Sequence, residues 1–137
     1  MKPKHQIPSQ TKQIIIPTSI NPRPERFEIE AASIIAEYLG EDANFIARDT
    51  GKTPDILIDG AEWEIKSPLG RGKHVIEDQI KRASRQSLYI VIDATRCKLH
   101  IARIRSQLKY TVGFRKHLKR VLLINKHGQV EVIKWSY

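Results

Sequence analysis

The sequence predicts an α/β domain with a mixed central β-sheet flanked by helices. Three observations carry that expectation. After position 24, helical and strand periodicities alternate in the order α-β-β-β-α-β-α-β-β. One run, LYIVIDA at 88–94, is apolar nearly throughout, as a strand covered on both faces must be. Asp59-Gly60 lies between two apolar runs, a strong signal for a two-residue hairpin.

The elements follow in order. Residues 1–24 hold five of the seven prolines and no repeating apolar face, so they read as an extended arm, with Ile14–Ile16 docking on the body. Residues 25–137 form a single domain. Helical spacing starts at Glu25, places Phe27, Ala31, Ile34, Ile35 and Tyr38 on one face, and stops at Gly40. NFIAR (44–48) is a strand and DTGKT (49–53) a loop. DILID (55–59) and EWEIKS (62–67) are strands around the bend. PLGRGK (68–73) is a loop. VIEDQIKRASRQS (75–87) is a helix with Val75, Ile76, Ile80 and Ala83 inward. Residues 98–110 are helical. RVLLIN (120–125) and VEVIKW (130–135) are strands joined by a turn at KHGQ.

Charge narrows the function. There are 24 Lys+Arg against 15 Asp+Glu in 137 residues, a formal net charge of +9. A basic surface concentrates polyanions, which puts nucleic acid ahead of a membrane surface as partner. Cys97 is the single cysteine, which excludes an internal disulfide and a Cys-rich zinc site. No apolar run approaches the ~18 residues of a membrane span, and no h-region follows the N-terminal lysines. The expected place of action is the bacterial cytoplasm.

The hairpin carries the chemistry. If Asp59-Gly60 is the loop, Ile58 opposes Ala61, Leu57 opposes Glu62, Ile56 opposes Trp63 and Asp55 opposes Glu64. Opposed side chains share a face with Cβ atoms roughly 4.5–5.5 Å apart. Lys66, two residues beyond Glu64, joins them, while Trp63 and Ile65 turn to the core with Ile56 and Ile58. Two carboxylates held that close repel, and a hard divalent cation between them relieves the repulsion. Mg2+ is the first choice, with Mn2+ or Zn2+ as alternatives. The Ile65 carbonyl is a further ligand, and Lys66 is placed to stabilise charge on a scissile phosphate or to orient water. The competing account is a solvated strand face with alternating acids and lysines.

These same residues carry a resemblance. TPD…WEIKS, after a helix bearing glutamates, resembles the PD-(D/E)xK nuclease superfamily. More narrowly, KTPDILIDGAEWEIKSPLGRGK, then QIKRASRQS and YIVID, is similar to the C-terminal toxin domain of CdiA contact-dependent growth inhibition proteins, a group described as tRNA nucleases. The resemblance covers about 25–137. It implies a PD-(D/E)xK restriction-endonuclease-like core and a metal-dependent endonuclease acting on tRNA, with Asp55, Glu64 and Lys66 as the catalytic set. It also implies a metal-side glutamate from the first helix. Glu28 lies about 60° and Glu30 about 100° from the centre of the apolar face, which favours Glu28 with Glu30 next. An acidic immunity protein is the implied protein partner. CdiA toxins end a very long secreted protein, whereas this sequence opens on its own methionine; a free-standing relative, an orphan module or an excised piece all fit that start.

Basic residues complete the picture. In the resembling nucleases a glutamine on the second helix lies beside the active site, which marks Gln79. Lys81, Arg82 and Arg85 form a stripe on that helix. Arg71 and Lys73 stand in the glycine-bearing loop. The tract KYTVGFRKHLKR (109–120) mixes Arg115, Lys116 and Lys119 with Tyr110 and Phe114, a composition suited to stacking on unpaired bases. A solvated charged face and a half-buried amphipathic segment are the plainer accounts of these stretches. Two other functions remain open: a DNA nuclease of the resolvase or repair type, and a basic binding module without catalysis.

Overall fold

The computed structural model describes residues 12–47 and 55–137, so Arg48, the expected loop 49–53 and residues 1–11 lie outside the described residues. The described chain forms β1 (Ile14–Ile15), α1 (Arg26–Leu39), β2 (Ala43–Phe45), β3 (Ile56–Ile58), β4 (Ala61–Lys66), α2 (Val75–Ala83), β5 (Tyr89–Asp93), α3 (Ile101–Gly113), β6 (Arg120–Ile124) and β7 (Val130–Trp135). Its seven strands make one mixed sheet whose spatial order is the chain order. β1 is parallel to β2, β2–β3–β4 run antiparallel, β4–β5–β6 are parallel, and β7 returns antiparallel.

Asp59 and Gly60 have φ of 48° and 80°. Both are positive, the geometry a tight two-residue hairpin requires. The register is the expected one: Ile58 with Ala61, Leu57 with Glu62, Ile56 with Trp63.

The sheet separates two cores. Ile56, Ile58, Trp63, Ile65, Val91 and Leu122 pack on one face with α1. Ile90, Ile92, Val121 and Leu123 pack on the other with Ile76 and Ile80 of α2 and Ile104 and Leu108 of α3. Alternation along β5 and β6 feeds both cores, which is why their sequences are apolar without a break.

Several boundaries differ from the sequence expectation. α1 buries Ala31, Ala32, Ile35 and Ala36, whereas Tyr38 is 48 % exposed. The small alanines let the helix lie closer to the sheet, and that rotates the buried face away from the bulkier Tyr38. Gly40, at φ 76°, ends α1 as expected, its N–H donating to Ala36 O at 2.8 Å. α2 stops at Ala83, not 87, because Ser84 Oγ turns back to Lys81 O and Ser87 Oγ donates to Glu62 O at 2.5 Å. α3 starts at Ile101, not 98, since the His100 ring accepts the Ala102 N–H at 3.1 Å and caps it. The arm contributes an edge strand. Ala43 N–H donates to Gln13 O at 3.0 Å, Gln13 N–H to Asp42 Oδ1 at 2.8 Å, and Ile20 enters the first core.

Parallel β4–β5–β6 impose a polarity. α2 and α3 both leave the carboxyl ends of their preceding strands and run back along the second face. One edge of the sheet therefore gathers Asp55, the end of β4, the loop 67–74 and Asp93. The opposite edge gathers the bend at 59–60, the C-terminal ends of α2 and α3, and the start of β6. Open sheets bind ligands at the carboxyl ends of their parallel strands.

α3 is clamped to β7 by a two-pronged ion pair: Arg105 Nε and Nη2 reach the two oxygens of Glu131 at 2.7 Å each, and Asn125 Nδ2 adds a third bond at 2.9 Å. The Arg105 bond, aided by Asn125, holds the Glu131 carboxyl down at about 2, from an ordinary 4.5. A depressed folded pKa gives stability that is complete above 4.5 and drains away as pH falls toward 2, where the unfolded chain binds the extra proton. Urea unfolding at pH 6 and pH 3 should show a smaller loss of stability for Glu131→Gln than for the wild type.

Candidate active site

β4 lies between β3 and β5, so its side chains face alternate cores. Trp63 and Ile65 point to the first core and are buried there. Glu64 and Lys66 point to the second face, where their strand neighbours are Ile90 and Ile92. Asp55 stands just before β3. Its N–H donates to Trp63 O at 3.1 Å, and its Oδ2 accepts the Ile65 N–H at 2.9 Å. Those two bonds tie Asp55 to the residues on either side of Glu64, just beyond the last register pair, Ile56 with Trp63.

Asp55 is 5 % and Glu64 3 % exposed. A solvated strand face would leave both open to water, so burial removes that account for these two acids. Lys66 Nζ lies 3.1 Å from Glu64 Oε2, with the lysine side chain 24 % exposed. Its stem follows the sheet while the ammonium bridges the acid and the solvent-facing edge. Two buried acids and one partly buried lysine therefore stand at this end of the hairpin. In a strand, the N–H and C=O of one residue leave on the same side. Since the Ile65 N–H meets Asp55, the Ile65 carbonyl also leaves toward Asp55.

The other expected site residues take varied places. Glu28 is in the first turn of α1, and its Oε1 accepts the Glu25 N–H at 2.8 Å, which caps the helix. The guanidinium of Arg96, just beyond β5, covers the Phe27 ring at 3.7 Å, so this end of α1 reaches the carboxylate edge. Glu30 is exposed and pairs with Arg26 at 3.3 Å. Among the described residues no group of three or more His, Cys, Asp or Glu side chains gathers where it could hold a metal ion. Neither Glu28 nor Glu30 is thus drawn into one group with Asp55 and Glu64.

The candidate nucleic-acid contacts split between two places. Arg71 and Lys73 are exposed in the loop 67–74, beside the acids. Gln79 is half-buried midway along α2. Lys81, Arg82 and Arg85 are exposed further along it, and Lys116 and Lys119 are exposed beyond α3, all toward the opposite edge. Arg115 is half-buried there. His74 pairs with Glu77 at 3.1 Å at the start of α2.

Sequence reasoning passed over Asp93. It is buried at the end of β5, where its Oδ2 accepts from Ser67 Oγ at 3.3 Å and its Oδ1 from Thr95 N and Oγ1 at 3.0 and 2.7 Å. It anchors the residue after Lys66. The signal was an acid closing an apolar run, YIVID, at the carboxyl end of a parallel strand.

The family described as "Contact-dependent growth inhibition CdiA C-terminal domain" matches residues 52–130, more than half of the chain and the whole segment from the hairpin to the start of β7. The chain belongs to this family. Among solved structures it is similar to the "CdiA-CT/CdiI toxin and immunity complex from Burkholderia pseudomallei". The TM-score is 0.61 at 22 % identity, over 89 % of this chain and 98 % of that one, so the two share a fold. No curated protein matches. Membership identifies the chain as a CdiA-type toxin domain and places the Asp55–Glu64–Lys66 hairpin inside the matched segment.

Lys66→Ala removes the ammonium that lies 3.1 Å from buried Glu64. It should cost about 2–3 kcal/mol, less than for a fully buried pair because Lys66 retains some solvent. Glu64→Gln/Lys66→Ala should recover about 1 kcal/mol or more of the sum of the single losses. Urea unfolding of all four proteins gives this cycle; strict additivity would show that the pair is not coupled.

Proposed function

We propose that the chain is a metal-dependent endonuclease of the PD-(D/E)xK kind that hydrolyses phosphodiester bonds in RNA, with tRNA as its first substrate. The observation that carries the proposal is the pair of buried acids, Asp55 and Glu64, with Asp55 bonded to the backbone on both sides of Glu64 and Lys66 at 3.1 Å from Glu64. Few structural demands explain two acids and a lysine beneath helix α2, and phosphoryl transfer is one chemistry that uses all three.

The donor set suits a hard divalent ion. Mg2+ takes one or two carboxylates and fills its shell with waters and phosphate oxygens. Asp55, Glu64 and the Ile65 carbonyl would hold it, with Glu28 of α1 as a further acid at the same edge. Bound there, the ion supplies charge neutralisation at phosphorus and a lower pKa for water. Lys66 holds a positive charge where negative charge grows on the phosphate oxygens. Asp93, through Ser67, fixes the backbone that carries Lys66. Arg71 and Lys73 are placed to grip phosphates beside the cut, in keeping with the +9 charge of the chain.

Preference for tRNA rests on the family resemblance. The similar Burkholderia pseudomallei structure is a toxin and immunity complex. By analogy this chain has an immunity protein, and an acidic one complements its charge.

One incubation decides the class. The protein is mixed with total RNA, plasmid and branched DNA, in Mg2+, Mn2+, Zn2+ or EDTA. tRNA should be cut with a divalent ion and spared in EDTA. Asp55→Asn and Glu64→Gln, which keep side-chain size, should each slow cutting by about 10²-fold or more. Cleavage of plasmid or branched DNA with tRNA intact would move the reading to a DNA nuclease. Binding without cleavage would leave a basic binding module, and undiminished cutting by Glu64→Gln would refute the site.

A further inference from the structure

Far from the acids, a second surface combines features that rarely coincide. Tyr110 and Phe114, at the end of α3, are 70 % and 72 % exposed. Their rings meet edge to face with centroids 4.9 Å apart, so they order each other rather than join either core. Beside them, a groove of about 330 Å³ runs between α3 and β7. Its floor is Val112 and Ile133, and its rims are Lys109 and Lys134. The Lys134 ammonium reaches over to Lys116 O at 3.4 Å. Arg120 is not part of this surface, because its guanidinium is enclosed 4.1 Å from the Trp135 ring and 5.6 Å from that of Tyr89.

We propose that this edge is a second nucleic-acid contact, in which Tyr110 and Phe114 stack on unpaired bases while Lys109, Lys116 and Lys134 hold the adjoining phosphates. It deepens the nuclease reading and rests on it. Exposed rings offer faces that any base can stack on, and the apolar groove floor accepts a base or ribose between two cationic rims. The charge argues against a second copy of the chain, which would set lysine against lysine in a protein of +9. A polyanion is the occupant the charges fit.

Position adds a statement about the substrate. α3 begins at the carboxylate edge and ends at this one, so its 13 residues, at roughly 1.5 Å each, separate the two contacts by about 20 Å. A stacked strand rises about 3.4 Å per nucleotide, so roughly six nucleotides are needed to bridge them. A folded RNA with a loop distant from its cut site engages both; a four-nucleotide fragment engages only one.

The test uses Tyr110→Ser/Phe114→Ser, with Tyr110→Trp/Phe114→Tyr as the conservative control. Both positions are exposed, and matched circular dichroism and melting confirm the fold. Binding of total tRNA is measured by anisotropy in EDTA on the Glu64→Gln background, and cleavage of tRNA and of a four-nucleotide RNA on the native background. The serine variant should weaken tRNA binding about ten-fold or more and raise KM with kcat little changed. Its cutting of the four-nucleotide RNA should match the wild type, and the aromatic control should restore tRNA binding. Wild-type tRNA affinity in the serine variant would overturn the proposal and point to a protein partner at this edge, while tRNA cutting by the native chain would still uphold the nuclease reading. Weakened binding together with no cleavage by the native chain would uphold the surface and sink the nuclease reading.

Discussion

Two residues with φ of 48° and 80° reverse the chain between β3 and β4, and most of the candidate site follows from that reversal. A two-residue loop leaves no freedom of register, since a slip by one would move every side chain to the other face. Ile56, Ile58, Trp63 and Ile65 lie in the first core, and that burial locks the register a second time. Asp55 then follows at the end of the hairpin, bonded to the backbone on both sides of Glu64. The bond from Ile65 N–H to Asp55 Oδ2 fixes the acid at the rim of the hairpin.

The second constraint is electrostatic. Two buried acids would be a heavy burden on a small domain without compensation. Lys66 offsets part of it at Glu64, and the backbone amide of Ile65 offsets part at Asp55. Both acids remain buried inside a chain of +9. Such an arrangement suits a cation and a phosphate arriving together, and family membership supplies an independent reason to look for chemistry on this hairpin.

Legibility in the sequence followed the range of the interactions. The hairpin register was readable because a loop of known length fixes it, and β5 because burial on both faces removes polar residues. The inward face of α1 was misjudged at Tyr38: a count of large apolar residues overlooks how closely Ala32 and Ala36 approach a sheet. The ends of α2 and α3 were set by Ser87 and by the ring of His100, contacts that propensity does not encode. β1 depends on backbone pairing with β2 across more than twenty intervening residues, and two isoleucines alone do not announce it. The basic residues were found as composition but not as places. Parallel strands send the ends of α2 and α3 away from the acids, so Lys81, Arg82, Arg85, Lys116 and Lys119 do not stand with Arg71 and Lys73. Only the topology separates them.

The central claim is that the bend at 59–60 makes one cation site out of Asp55 and Glu64. Amide NMR spectra recorded during a Mn2+ titration test it without any substrate. The account predicts broadening centred on Asp55, Glu64 and Ile65, lost in Asp55→Asn/Glu64→Gln and relieved by excess Mg2+. Broadening centred elsewhere, on Glu77 and Asp78 for example, or unchanged in the double variant, would contradict it.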